Sequence, residues 1–303
     1  MKKEKTKNEV PFRLKFFPPN GNDRTRNNNA GNGMKKASYR FQFLYRPGLH
    51  LDDGKLRRII DEMRRVAASC FEEIPEYQAM TGCRKELTDT VIAVAWRSDG
   101  TMAGFCSTVI LPVTGVGDVQ HLGLTCVRPE DRSNGLTHIL THKAVAGYLV
   151  RHKPVVGKLW VSNCAAVLSS LVNVSLHFEQ VYPSPFGATR LTEKHRKIAE
   201  AIDRHYRHKI YIHRDATFDT DAFVFRGSVK GTMFQKDSGE TCYYHRNRDL
   251  NEFYKDRMVF ENGDEVLQVG YATTLAAVRH MLRNMPLPKP GMKSKNEKRM
   301  PAA

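Results

Sequence analysis

With 303 residues, 41% of them hydrophobic, the chain is long enough to bury a substantial core and too balanced to be disordered throughout. Its formal charge of +16 suggests polyanions, but ten Lys or Arg against three Asp or Glu fall in residues 1–37, and five against one in 284–303. No stretch approaches the roughly 18 uninterrupted apolar residues of a membrane span, and the basic N-terminus has no apolar signal core, which excludes the usual membrane-helix and secretory patterns.

The two terminal segments, 1–37 and 284–303, are rich in Asn, Gly, Pro and Lys and are expected to be disordered basic tails. Such tails hold nucleic acid or an acidic partner loosely, or only keep a protein in solution. The folded middle is mildly basic. Six cysteines (Cys70, Cys83, Cys106, Cys126, Cys164, Cys242) show neither a CxxC pair nor zinc-like spacing, and most lie among apolar residues. They read as buried reduced thiols, and the protein as cytoplasmic.

After the first tail, Tyr39 to Gly48 alternates and ends in Pro-Gly, predicting a strand. Asp52 and Asp53 then stand as caps before Leu56, Ile59, Ile60, Met63, Val66, Ala67 and Cys70 at helical spacing. Two apolar runs around Asp99-Gly100 predict a hairpin. "DVQHLGLTCV" predicts a further strand, "CVRPEDRSNGLTHILTHKAVAGYLV" a loop into a helix, "VGKLWVSN" a strand and "CAAVLSSLVNVSLHF" a helix. The order β, α, β, β, β, α, β, α points to a mixed α/β sandwich.

The loop from Arg132 to Thr137 is the most telling stretch. A helix starting directly after a Gly-containing loop presents unpaired N–H groups and the positive end of its dipole, a setting for phosphate, and Arg132 adds a charge. Neither GxxxxGK[ST] nor GxGxxG is present, so a Walker or dinucleotide loop is not the explanation.

The combination resembles the GNAT acyltransferase superfamily, whose signature Gln/Arg-x-x-Gly-x-Gly/Ala wraps the pyrophosphate of acetyl-coenzyme A. It stands here as Arg132-Ser133-Asn134-Gly135-Leu136-Thr137, preceded by "LTCVRPED" and followed by "SNCAAVLSSL", which places Asn163 and Ala166 on a second family segment. The resemblance implies a mixed, mostly antiparallel twisted sheet flanked by helices. It is carried by residues 38–185 and implies a domain at 38–189, with an α/β extension at 190–283 that extends the sheet and walls the acceptor side, and a hinge at Tyr182 to Gly187. It implies transfer of an acetyl group from acetyl-CoA directly to an amine, with Thr125, Cys126 and Val127 pairing with the pantetheine arm and Asn163 also contacting the coenzyme. Thr137 replaces the usual small residue, and Ser170, beside Ser169, stands where the family often has a Tyr proton donor.

His121, eleven residues before Arg132, matches the place of a catalytic Glu in histone-acetylating members. It is the candidate general base, expected to titrate near 6.5; its alternative is a strand residue satisfied by a neighbouring carbonyl. Cys126, inside an apolar strand, reads as packing and not as a nucleophile. His138 and His142 have metal-pair spacing but no completing carboxylate, and read as surface residues. The basic run His195 to His213 reads as a solvated helix face. Function therefore reads as an acyl-CoA-dependent N-acyltransferase, with an inactive GNAT-like binding or scaffold protein as the alternative.

Overall fold

The computed structural model describes residues 38–152, 157–187 and 189–277. The two expected tails, 1–37 and 284–303, lie outside the described residues. Strand β1 (Arg40–Tyr45) leads through a one-turn helix α1 (Pro47–His50) into α2 (Asp53–Ala68). Asp52 caps α2 by accepting from the Lys55 N–H at 2.8 Å. Strands β2 (Thr90–Trp96) and β3 (Met102–Val113) form the hairpin around Asp99-Gly100, and β4 (Gly117–Val127) returns antiparallel to β3. Helix α3 (Leu136–His152), strand β5 (Lys158–Ala165) and helix α4 (Leu168–His177) complete the order expected from the sequence.

Strand β2 is buried throughout because both faces of the sheet are covered. Ile92, Val94 and Trp96 face Leu56, Ile60 and Met63 of α2, while Val91 packs with Val145, Tyr148 and Leu149 of α3 on the opposite side. The period-2 alternation of the strand thus reads out directly as two core layers.

The remaining chain does not form a separate body. After β6 (Glu179–Tyr182) and α5 (Glu193–Ala201) come β7 (Thr217–Asp219), β8 (Val224–Arg226), α6 (Arg248–Lys255) and β9 (Glu265–Thr273). The sheet runs β1-β2-β3-β4-β5-β9-β8-β7, with β6 also on β9, and every pair is antiparallel except β4 with β5. Strand β9 pairs with β5 from Lys158↔Thr273 to Ala165↔Val266. A boundary at 189 therefore cuts through a continuous sheet. Pro183, in the segment expected to hinge, is tied down by Gln268 Nε2, which donates to its carbonyl at 3.3 Å.

The cysteines are more varied than their apolar setting suggests. Cys106 and Cys126 are buried, Cys70 and Cys164 half-buried, and Cys83 and Cys242 exposed. No helix among the described residues is long and apolar enough to cross a membrane.

Candidate functional site

Strands β4 and β5 are hydrogen-bonding neighbours only from Val119↔Trp160 to Leu122↔Asn163, although β4 continues to Val127. At this point the β3–β4 register also slips, with Thr108 opposite Leu122 but Cys106 opposite Thr125. A bulge at Gly123-Leu124 bends β4 away, so the edge of Gly123–Val127 facing β5 has no strand partner. Its side chains are half-buried from Gly123 to Thr125.

The far end of β4 runs into the Arg132 loop. Ser133 and Gly135 both adopt the left-handed conformation, φ 68° and 70°, which costs a residue with a side chain and suits glycine. Among the described residues, no protein acceptor takes the N–H groups of Ser133, Asn134, Gly135 or Leu136, whereas Arg132 N–H bonds Pro129 and Ile139 N–H bonds Gly135. The loop is braced from below. Asp131, only 6% exposed, accepts from Tyr39 Oη at 2.7 Å and from Arg97 Nε at 2.9 Å, and Asn134 Nδ2 donates to the Tyr39 hydroxyl and the Asp131 carbonyl. Four outward N–H donors at the start of a 17-residue helix make an anion cradle. Arg132 is exposed beside it, its Nε bonding the Val127 carbonyl at 3.4 Å. Thr137 is exposed on the first turn, and its carbonyl accepts from Thr141.

The structure places the other sequence-derived candidates differently. His121 is 1% exposed, with Nδ1 3.0 Å from Ser162 Oγ, and burial lowers its pKa to about 3. Its partner is a hydroxyl and not the carbonyl of the alternative reading, and burial that disfavours the imidazolium weakens the ring as a base. Asn163 is buried too, donating Nδ2–H to Gln268 Oε1 at 3.3 Å. Gln268 in turn donates to Ser175 Oγ at 2.9 Å and Tyr254 Oη at 2.8 Å, so Asn163 belongs to a core network that ties β5 to β9. Ser170 and Ser169 lie half-buried on the first turn of α4. Thr125 sits opposite Cys106, and Val127 opposite Gly104. The Cys126 side chain points into the α2 core beside Cys70. The Cys70 thiol is pulled down to about 6 chiefly by a hydrogen bond from Cys126, with Ser69 and Arg132 helping, and it lies 3.4 Å from the Val127 carbonyl. His138 and His142 are half-buried rather than surface residues, and they cluster with His177 at ring centroid separations of 4.0–5.4 Å. No group of three His, Cys, Asp or Glu among the described residues suits a metal ion.

Four residues flanking the point where β4 and β5 part, Gln78, Tyr77, Cys164 and Glu265, were not singled out as site residues from the sequence. Gln78, in the left-handed region at φ 48°, lays its carboxamide over Gly123, where a Cβ would come within 2.2–2.6 Å of it. Its Oε1 accepts from Ser107 Oγ at 3.1 Å and its Nε2 donates to Tyr77 Oη at 2.8 Å. Tyr77 is packed edge-on by Tyr211 and Phe234 from the C-terminal region, at 5.6 and 6.1 Å. On the β5 side, Cys164 is the first residue past the last β4 contact, and its thiol lies 3.8 Å from Glu265 Oε2. Glu265 also accepts from Ser228 Oγ at 2.6 Å, and burial raises its carboxyl to about 7. The Glu265 charge is felt at Tyr77, whose hydroxyl is pushed well above its ordinary value mainly by burial. A carboxyl that titrates near neutrality beside a strand divergence is matched to proton transfer. The sequence signal was an acid in the strand-like run "DEVLQVGYATT", legible only once β9 is known to lie beside β5.

No family model matches this sequence, and no curated protein matches it. Solved structures are similar to parts of it. A GNAT family N-acetyltransferase from Escherichia coli, in complex with CoA, is 18% identical over 50% of this chain and 73% of its own, with a TM-score of 0.32. An acyl-CoA N-acyltransferase from Pseudomonas aeruginosa is 22% identical, covering 41% of this chain and 79% of its own, at a TM-score of 0.30. A ribosomal-protein-alanine N-acetyltransferase from Brucella melitensis is 17% identical over 39% and 76%, at 0.28.

Proposed function

We propose that the chain is an acyl-CoA-dependent N-acyltransferase that passes an acetyl group to an amine. The observation that carries this reading is the parallel β4–β5 pair that parts at Leu122, with the freed edge of β4 leading straight into a loop of unpaired N–H donors. An extended amide-containing arm ending in a pyrophosphate fits that surface, its amides on the backbone of Thr125–Val127 and its phosphates on Ser133–Thr137 and Arg132. Bound acetyl-CoA would supply the thioester.

The chain's own residues then have distinct tasks. Backbone N–H groups near the bulge polarise the thioester carbonyl as charge develops on its oxygen. Glu265, as carboxylate, takes the proton of the incoming amine, a task that moves to it from His121 because its pKa of about 7 is matched to neutral pH. Ser170, at the start of α4, is the candidate donor to the departing thiolate. Tyr77, Tyr211 and Phe234 form an aromatic wall for the acceptor.

A second reading, a protein that keeps the coenzyme loop without turnover, draws on the Gln78 carboxamide lying over Gly123, where the reacting end of the arm would arrive. Titration calorimetry with acetyl-CoA, followed by a thiol-release assay against a panel of amines, separates the two. Binding without thiol release supports the second reading, and absence of binding removes both.

A further inference from the structure

At the far end of α3, about 22 Å from the Arg132 loop at 1.5 Å per residue, a second cluster bears no relation to acyl transfer. Its centre is Tyr45, the last residue of the edge strand β1. The Arg151 guanidinium lies 4.5 Å from the Tyr45 ring centroid and that of Arg46 lies 5.5 Å from it. His50 stacks on the same ring at 5.9 Å with the planes 22° apart, and His152 approaches to 5.0 Å. Among the described residues neither arginine forms an ion pair, and the buried Nε of Arg46 has no hydrogen-bond partner. The nearby carboxylate, Asp118, is taken by the Tyr148 hydroxyl.

Two further features shape this site. Arg46 is held in the left-handed conformation at φ 44°, immediately before Pro47, its N–H bonded to the Thr90 carbonyl, which fixes where its side chain leaves the chain. Beside it lies a hollow of about 390 Å³, lined by Gln42, Tyr45, His50 and Arg151 among others, within the range of roughly 300–1,000 Å³ typical of small-molecule sites.

The chain on either side of this cluster is strongly basic. Residues 1–37, which precede β1, hold ten Lys or Arg against three acids, and residues 278–303 hold seven against one. The second of these segments follows Ala277, which packs in the same apolar cluster as Phe43 and Tyr45. A flat polyanion contact needs only the charge. The Tyr45 ring is already packed by its neighbours, so the surface offered to a base is the guanidinium of Arg151, held against that ring and lining the hollow, with its charge available to a phosphate.

We propose that the cluster of Tyr45, Arg46, His50 and Arg151 is a binding site for single-stranded nucleic acid, seating one base in the hollow and its phosphate between the arginines. The test is fluorescence anisotropy of the full-length protein with a short labelled single-stranded oligonucleotide over a range of salt. Tyr45→Ala should weaken binding roughly 5- to 150-fold with the salt slope unchanged, as for loss of one stacking contact, because that ring holds the Arg151 guanidinium in place. Tyr45→Phe should keep wild-type affinity. Arg151→Ala should weaken binding and reduce the slope of log K against log salt by about 0.7, one phosphate contact.

Three outcomes overturn the site. Tyr45→Ala and Arg151→Ala binding like wild type would assign the affinity to the tails alone. Equal binding of duplex, or displacement of the oligonucleotide by polyglutamate at matched charge, would reduce the contact to a general polyanion surface. Displacement by free coenzyme A, with Tyr45→Ala also weakening coenzyme affinity, would make the hollow part of the acyl-donor site. A circular dichroism spectrum matching wild type keeps either variant interpretable. Failure here leaves the acyl-transfer reading untouched, because its test uses the Arg132 loop.

Discussion

The two halves of β4 carry opposite chemistry on one continuous strand. From Val119 to Leu122 both edges are paired and both polar side chains are enclosed: Gln120 Nε2 donates to Thr108 Oγ1, and His121 is sealed against Ser162 and held neutral. From Gly123 to Val127 one edge is open, and the neighbouring groups are a strained glutamine, a thiol and a carboxyl poised near neutrality. Pairing satisfies the backbone and encloses what lies beside it, while divergence leaves N–H and C=O groups that need an external partner. His121, two positions before the bulge, therefore lies on the enclosed half of the strand.

The sharpest way to break this comparison is to exchange the two titratable groups. Glu265→Gln should lower kcat by roughly 10²–10⁴ and remove a pH–rate limb with its midpoint at about 7, rate rising as the carboxyl deprotonates. His121→Asn should leave that limb in place. Retention of the limb in Glu265→Gln, with its loss in His121→Asn, would return the base to the paired half of β4.

The open half is tested next through its loop. Arg132→Ala should raise the acetyl-CoA dissociation constant roughly 10- to 150-fold, the loss of a charge-assisted contact of about 1.5–3 kcal/mol. Gly135→Val should add a cost of about 1–2 kcal/mol, because φ 70° is strained for any residue with a Cβ although the surrounding space is empty. Unchanged affinity in both, measured by calorimetry, would remove the coenzyme from this loop.

The two buried groups also oppose each other in stability. His121 stays neutral in the fold down to about pH 3 but binds a proton near 6.5 when unfolded, so stability falls as pH drops through that window. Glu265 stays protonated up to about pH 7 but ionises near 4.5 when unfolded, so stability falls as pH rises through its window. The two slopes have opposite sign between pH 4.5 and 6.5, while His195 and His245, also lowered by burial, add to the loss on acidification. Glu265→Gln should therefore make urea midpoints fall more steeply on acidification through that range than they do in wild type.

The smallest effect concerns the lid of the open half. Gly123→Ala pushes a methyl into the Gln78 carboxamide and should cost about 1–2 kcal/mol by thermal unfolding. In a Gln78→Ala background the same change should be nearly neutral. An equal cost in both backgrounds would mean that Gln78 does not hold the gap.

Much of the first half of the fold was legible because its signals are local. Asp52 caps the helix it precedes, Asp99-Gly100 turns the hairpin it sits in, and Gly135 takes the φ that its loop demands. The rest depends on partners far along the chain. Nothing near Asn163 announces that Gln268 will bond it, and nothing near Glu265 announces Ser228 and Cys164. His121 fitted a motif by counting, yet whether a strand residue is open or sealed depends on the strand beside it, which periodicity does not reveal.

The central place of β9 has a further meaning for how the molecule is made. Strand β5 is complete at Ala165, but the strand that covers its outer edge does not begin until Glu265. During synthesis, at roughly 5–20 residues per second, that edge waits several seconds with its backbone groups unpaired. Pairings of such long sequence separation form slowly, and bare edges invite the wrong neighbour. A nascent chain that stalls or is cleaved before Glu265 would expose the apolar middle of its own sheet, so the vulnerable moment for this protein lies in its assembly, just before the last strand arrives.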